Sequence, residues 1–352
     1  MRINKVQFSL GDWLKDLRYH LNRGKGHLLR YLWNRIKWHQ FPSYNIVSGF
    51  PDHVDIELSS ACDMKCPMCY TITDEFKQLV PKKLIDLELF KKIIDECVAN
   101  GAYSIRLSFR GEPFLNRNIV EMTRYAKEAG IREISTLTNG LRLNPELFEE
   151  MMDAGLDWLT ISFDGTGETY NRIRKPAKFD EAVEKIRQYH LIKKRRGSPK
   201  PVVKVQTVWP AISDDPQAFY DLFEPITDQV YANPLVDYLD NDTDIEYAED
   251  FTCPTLWQRL VIGSDGSVVL CINDEMGREK IGDVREQTLK EIWTGPQMTE
   301  ARRIHLEHRG VERYDVCRRC HLPRAVEESM TAIDGRDILV ENYTGRTQAV
   351  GE

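Results

Sequence analysis

From residue 53 onward, short runs rich in β-branched and aromatic residues alternate with longer amphipathic stretches. This alternation constrains the fold more than any other feature of the chain. Candidate strands are Val54–Leu58, Ile105–Phe109, Glu133–Leu137, Trp158–Phe163, Val202–Trp209 and Gln229–Ala232. Helices are expected between them over Leu87–Ala99, Asn118–Ala129, Pro145–Ala154 and Asp180–Lys193. Asp86 is placed to cap the first helix, and Gly101 and Gly130 to stop the first and second. Strands joined through helices pair in parallel and are covered by those helices. The count of units is lower than a closed barrel uses, so the expected class is α/β: a partial (β/α)6 TIM-like barrel.

The chain has 352 residues, enough for such a core and one smaller module. Its formal charge of -7 argues against a dedicated nucleic-acid binder. No apolar run reaches the length of a membrane span and no signal-peptide core opens the chain, so a cytoplasmic location is expected. Residues 1–50 read as a basic amphipathic extension. From Gly26 to Phe41 a helix would place Leu29, Leu32, Trp33 and Ile36 on one side, with Arg30, Arg35 and Lys37 making it basic. A helix covering the barrel is the first reading. Contact with a membrane surface or a partner is the alternative.

Eight cysteines are present, too unevenly spaced in too large a chain for a disulfide scaffold. Cys62, Cys66 and Cys69, in SSACDMKCPMCY, follow the first strand with the spacing C-x3-C-x2-C. Three thiolates can hold three irons of a [4Fe–4S] cube and leave the fourth open to an exogenous ligand. A structural zinc would need a fourth ligand close by, and the loop has no histidine. A loop at the C-terminal end of a barrel strand is also where this architecture places its chemistry.

These residues resemble the radical S-adenosylmethionine (SAM) superfamily, whose hallmark CxxxCxxC is matched by Cys62, Cys66 and Cys69. Met68 stands just before Cys69, and the aromatic residue follows it as Tyr70. The resemblance implies that the open iron chelates SAM and that reductive cleavage yields methionine and a 5′-deoxyadenosyl radical. SFRGEP resembles the family's GGEP segment, so Gly111 would admit the cofactor's close approach and Glu112 would accept its ammonium. Arg110 replaces the first glycine of that motif. It adds a cation beside the site and is the candidate catalytic residue, orienting substrate. LTNG, ending in Asn139 and Gly140, ISFDG, containing Ser162 and Asp164, and Gln206 in VKVQTVW supply further candidate contacts to SAM.

Cys253, Cys271, Cys317 and Cys320 could enclose a second [4Fe–4S] cluster or a structural zinc. CPTLWQRLVIGSDGSVVLC, with a hairpin turning at Asp265–Gly266, and DVCRRCHLP resemble the SPASM/Twitch group, in the shorter version with one auxiliary cluster. The arrangement is similar to that of the aminocyclitol dehydrogenase of the butirosin pathway. The expected domains are therefore the 1–50 extension, a radical SAM barrel over 51–236, an auxiliary-cluster module over 237–330 and a tail over 331–352. Short helices are expected around Leu289–Trp293 and Thr299–Glu307.

The similarity implies oxidation of a secondary alcohol in a carbohydrate, cyclitol or related small metabolite. The alternatives are an epimerase of a sugar or peptide, or a maturase of a ribosomally made peptide. A flavodoxin or ferredoxin would be the reductant. Cys97, the one cysteine left over, sits in LELFKKIIDECVAN and reads as a packed core thiol rather than a hydrogen donor. Seven acidic residues between Asp237 and Asp250 read as a solvated linker, or as a patch facing a cationic substrate. Anaerobically reconstituted protein should bind about eight iron and about eight sulfide per chain, the content of two cubane clusters. Metal and sulfide analysis finding half of each would remove the two-cluster reading.

Overall fold

The structure, a computed structural model, describes residues 7–235, 245–344 and 350. Ten strands among them form one sheet: β1 (Phe8–Ser9), β2 (His53–Ile56), β3 (Ser104–Arg106), β4 (Glu133–Thr138), β5 (Trp158–Ser162), β6 (Val202–Val208), β7 (Gln229–Asn233), β8 (Arg259–Ile262), β9 (Ser267–Val269) and β10 (Lys280–Asp283). A separate antiparallel pair joins β11 (Val326–Ile333) to β12 (Arg336–Tyr343). The order in the large sheet is β1-β7-β6-β5-β4-β3-β2-β8-β9-β10. From β2 to β7 each strand pairs in parallel with the next, as helical crossovers demand. β1 and β10 lie at opposite ends of the order, so the sheet is mixed and open. This is consistent with a partial TIM-like barrel followed by a small C-terminal module.

Alternation along these strands decides what the barrel encloses. Val54, Ile56, Ile105, Ile134, Leu159, Ile161, Val203 and Val205 belong to the main apolar core. The residues between them are mostly polar. His53, Ser104, Arg106, Glu133, Ser135, Thr160, Lys204 and Gln206 line a cavity in the barrel lumen. Period two thus puts an apolar row under the helices and a polar row inside. The helices Leu87–Ala99, Ile119–Ala129, Pro145–Asp153 and Phe179–Arg196 supply the cover, close to the ranges expected. Asp86 caps the first, accepting from the backbone N–H of Glu88 at 2.9 Å and of Leu89 at 3.2 Å. Gly130 ends the second at φ +118°.

The C-terminal module continues the barrel's sheet. β8 runs parallel to β2, with Arg259 opposite His53. It then turns into β9 at Asp265–Gly266, where Gly266 takes φ +90° and Asp265 accepts from Ser267 N at 3.1 Å. Helices Leu289–Thr294 and Pro296–Leu306 match the expected positions. Trp293, fully buried, donates from Nε1 to Ser48 O at 2.7 Å and ties the module back to the chain before the barrel. Part of the expected tail forms a hairpin: Asp334 and Gly335, at φ +52° and +67°, make a two-residue turn joining β11 to β12. An Asp-Gly turn between alternating residues was a legible hairpin signal. Of the acidic stretch, Asp237, Asp240, Asp242 and Asp244 lie outside the described residues.

In the described part of the N-terminal extension, from Gln7 on, β1 pairs with β7 and helices Trp13–Gly24 and Leu28–Ser43 lie against the barrel. A helix covers the barrel as expected, but with the opposite face. Leu29, Leu32, Trp33 and Ile36 are exposed, Leu29 by 83%, whereas Tyr31 and Asn34 are buried. Arg23, Arg35 and Trp38 line the lumen cavity.

A buried ion pair joins barrel and module. Arg110, after β3, donates from Nε and Nη2 to the two oxygens of Glu57, after β2, at 2.5 and 2.8 Å. Glu57 also accepts from the N–H and hydroxyl of Ser264 in the β8–β9 turn, both at 2.8 Å. The third Arg110 nitrogen reaches Glu275 O at 3.2 Å. Arg110→Met should cost about 3–5 kcal/mol, because Glu57 is left buried without its counter-charge. Adding Glu57→Gln should recover part of that loss. Denaturant midpoints of both variants measure this, and a midpoint unchanged in Arg110→Met refutes the brace.

Candidate functional site

Beyond β2 the chain enters the loop that carries Cys62, Cys66 and Cys69. All three thiols line a cavity of about 300 Å³ at the C-terminal ends of the barrel strands. The N–H of Cys69 closes a turn onto Cys66 O at 3.0 Å. Gly111 fixes how closely the neighbouring strand end approaches. At φ +58°, a β-carbon there would sit 2.4 Å from Ala61 O and 2.5 Å from Ser59 O, so no side chain fits. The N–H of Glu112 then donates to Ala61 O at 2.7 Å, locking the two loops together.

The sulfurs have polar neighbours. Met64 N lies 3.5 Å from the Cys62 sulfur, and the Thr71 hydroxyl 3.1 Å from that of Cys69. Burial pushes the Cys62 thiol up to about 12 and also raises Cys66. For Cys66 the nearby Arg174 guanidinium works in the opposite direction. Arg174 itself is held by Asp164 at 2.6 Å. Glu112 is buried, and accepts from the Thr138 hydroxyl at 2.7 Å, Asn139 N at 2.8 Å and Phe114 N at 3.1 Å. Burial outweighs these bonds and lifts its carboxyl to about 7.

Four more thiols gather in the module. Burial raises Cys271 first of all, and the nearby sulfurs of Cys317, Cys253 and Cys320 raise it further. Asn273 donates to the Cys320 sulfur at 3.2 Å, and the Thr255 hydroxyl lies 2.7 Å from the sulfur of Cys253. Polar contacts of this kind tune a thiolate-bound cluster. None of the eight cysteines is in a disulfide. Among the described residues, no three Cys, His, Asp or Glu side chains converge tightly enough for one ion. A cubane spreads its thiolates over separate corners, so both sets fit such a cluster in number and kind of donor.

Residues 56–221 match the radical SAM superfamily. The chain carries a radical SAM catalytic domain. Residues 253–321 match the SPASM iron–sulfur cluster-binding domain, spanning the four distal cysteines. An AdoMet-dependent heme synthase of Methanosarcina barkeri is 32% identical over 142 residues, covering 40% of this chain and 39% of that protein. The chain thus spans well under half the length of this curated relative. BtrN, solved with AdoMet and 2-DOIA, superposes with a TM-score of 0.54 at 19% identity, over 77% of this chain and 93% of that one. SuiB of Streptococcus suis, solved with the precursor peptide SuiA, gives 0.53 at 15% identity over 79% and 72%. At these identities the likeness is one of fold.

The radical SAM domain brings Tyr70, Gly111, Glu112, Asn139 and Ser162 to the same cavity as the three thiols. Asn139 bridges toward the loop, donating to Asp63 Oδ1 at 2.9 Å. Two candidates lie elsewhere. Arg110 is committed to Glu57 and is not in the lining, because the pair satisfies both buried charges. Gln206 lines the deeper lumen, two residues short of Val208, which does reach the thiol cavity. Cys97 is fully buried in the apolar core, as expected. Arg174 was missed: it sits in RIRKP, where no motif marks it, and only the fold carries it to Cys66. Gly111→Ala should lose the proximal cluster and keep the distal one, dropping iron content by about half. Full loading in that variant would show that the loop contact is dispensable.

Proposed function

We propose that the proximal thiols hold a [4Fe–4S] cluster with one iron open to SAM, and that Cys253, Cys271, Cys317 and Cys320 hold a second, auxiliary [4Fe–4S] cluster. When bound there, the cluster and SAM would together supply a 5′-deoxyadenosyl radical. The chain's own residues place and shield that chemistry. Glu112, already fixed by three donors, takes the SAM ammonium, and the Gly111 backbone leaves room for it. Asn139, Ser162 and Tyr70 border the rest of the cofactor. Arg174 offsets the negative charge of the cluster on the Cys66 side. The observation that carries this reading is the convergence of three thiols of one loop and Glu112 on a single cavity at the strand ends.

The substrate is a small molecule or a peptide, from which that radical would take a hydrogen atom. Epimerisation of a sugar or peptide, or peptide maturation, stands ahead of secondary-alcohol oxidation. SuiB, of similar fold and coverage, was solved with a precursor peptide. Alcohol oxidation rests on the resemblance to a cyclitol dehydrogenase and on the four-cysteine module. An epimerase of this chain needs a hydrogen donor other than the buried Cys97. A flavodoxin or ferredoxin supplies the electron.

Replacing Cys62, Cys66 and Cys69 together should abolish formation of 5′-deoxyadenosine while about half of the iron stays bound. Cleavage at the parent rate would sink the assignment. Mass spectrometry of candidate substrates turned over in deuterated solvent separates the reactions. Uptake of one deuterium marks epimerisation, and loss of two hydrogens without uptake marks oxidation or cross-linking. The Glu112 carboxyl is charged above about pH 7 and protonated below it. SAM affinity, measured calorimetrically on reconstituted protein, should therefore weaken by up to about tenfold per pH unit below 7. Glu112→Gln should bind weakly at all pH values, and a flat profile in the parent would remove the ammonium contact.

A further inference from the structure

Below the thiol cavity, the barrel lumen is not filled by branched side chains as in a closed barrel. A cavity of about 310 Å³ remains, lined by Arg23, Arg35, Arg106, Lys204 and Arg259, with Glu133 the one carboxylate among the described lining residues. Glu133 is taken up by Arg23, through bonds of 3.1 and 2.7 Å. Asp55, fully buried in the same wall, holds Arg106 at 2.7 Å and Arg259 at 3.1 Å. Four guanidiniums and the Lys204 amine therefore share two carboxylates. Lys204 is 3% exposed; among the described residues its amine meets the Gln7 amide oxygen at 3.1 Å and the faces of Trp158 and Tyr231, and burial with Arg23 and Arg106 nearby lowers it to about 7. Arg35 donates to the neutral Asn34 Oδ1 at 2.8 Å.

Buried cations in excess are costly unless an anion joins them. We propose that the lumen is a subsite for a phosphoryl group of the substrate, so that the substrate is a phosphorylated or diphosphate-linked small molecule. The surplus of two guanidiniums, joined by Lys204 once an anion favours its charged form, exceeds a single carboxylate's charge and suits a phosphoryl or diphosphoryl group, whose oxygens Arg forks match. Leu137 lines both cavities, and Ser162 of the upper one lies beside Gln206 of the lower one in register. A ligand anchored in the lumen therefore points its other end at the thiol cavity. This orientation rests on the function proposed above, but the anion site itself does not.

Calorimetric titration of the reconstituted protein with inorganic phosphate, pyrophosphate and malonate tests the site. Saturable one-to-one binding of phosphate or pyrophosphate is expected, at least tenfold tighter than malonate. Lys204→Met and Arg35→Met should each weaken it about tenfold, Lys204→Arg should restore most of it, and iron content and circular dichroism should match the parent throughout. No saturable binding, preference for malonate, or binding indifferent to Lys204→Met overturns the subsite. Intact phosphate binding in protein that fails to cleave SAM would sink the radical reading and leave the anion site standing.

A different observation supports a second inference. The outward faces of the two N-terminal helices expose Trp13, Leu14, Leu17 and Leu21 on the first and Leu29, Leu32, Trp33 and Ile36 on the second. Residues 1–50 hold nine Lys and Arg, of which Arg23 and Arg35 face the lumen and Lys15 and Lys37 pair with Glu224 and Asp52. Arg18, Lys25 and Arg30 are exposed beside the apolar faces. Among the described residues no helix is long and apolar enough to cross a membrane. We infer that these helices lie on an anionic lipid bilayer, with Trp13 and Trp33 at the interface and Arg18, Lys25 and Arg30 against its headgroups. The protein should pellet with vesicles of phosphatidylcholine and phosphatidylglycerol, release at high salt, and bind pure phosphatidylcholine far less. Trp13→Ser combined with Leu29→Asp and Trp33→Asp should abolish pelleting without changing SAM cleavage. Failure to pellet overturns the inference, as does a lipid-free dimer that the same triple variant dissociates.

Discussion

The parallel strands sort side chains by alternation, and both cavities depend on that sorting. Val54, Ile105, Ile134, Leu159 and Val205 go beneath the helices, while Arg106, Glu133, Thr160 and Lys204 are left facing inward. A closed barrel would have to fill such an interior with apolar bulk. An open sheet does not, so its lumen can stay polar and accessible. The apolar row provides the burial that holds the strands in register, and the inner row is released for function.

The same rule explains the inverted N-terminal helix. Its apolar stripe is genuine, but the surface it would cover is the charged mouth of the lumen. Burying Leu29 and Trp33 against Arg106 and Glu133 would strip those charges of solvent without replacing its hydrogen bonds. Tyr31, Asn34 and Arg35 make the better seal, beside Arg23 of the preceding helix, which pairs with Glu133. The apolar stripe is left outside as a consequence.

At the other end of the lumen, the thiol loop is positioned by backbone rather than by side chains. Gly111 lets one strand end press on Ala61 and Ser59, and Glu112 is held by the next strand's Thr138 and Asn139. The Arg110–Glu57–Ser264 contact then couples this end to the module carrying the distal thiols. The segments carrying two cysteine groups far apart in sequence are thereby joined through one continuous sheet, because β8 pairs with β2.

Local signals were legible in the chain alone. The three-cysteine spacing, the capped helices, the Asp265–Gly266 turn and the glycine of RGEP each express short-range chemistry, in which spacing dictates geometry. The sequence also placed five of the candidate cofactor contacts, since strand ends in a parallel barrel converge by construction. Tertiary structure alone decided the rest: Arg110 turned into a brace, Gln206 dropped into the lumen, Arg174 came to Cys66, and the basic residues of the N-terminal helices met Lys204 and Arg259. Those outcomes depend on which charges find partners across long sequence separations. A charge's partner is set by the fold's distances and burial, and no spacing along the chain encodes it.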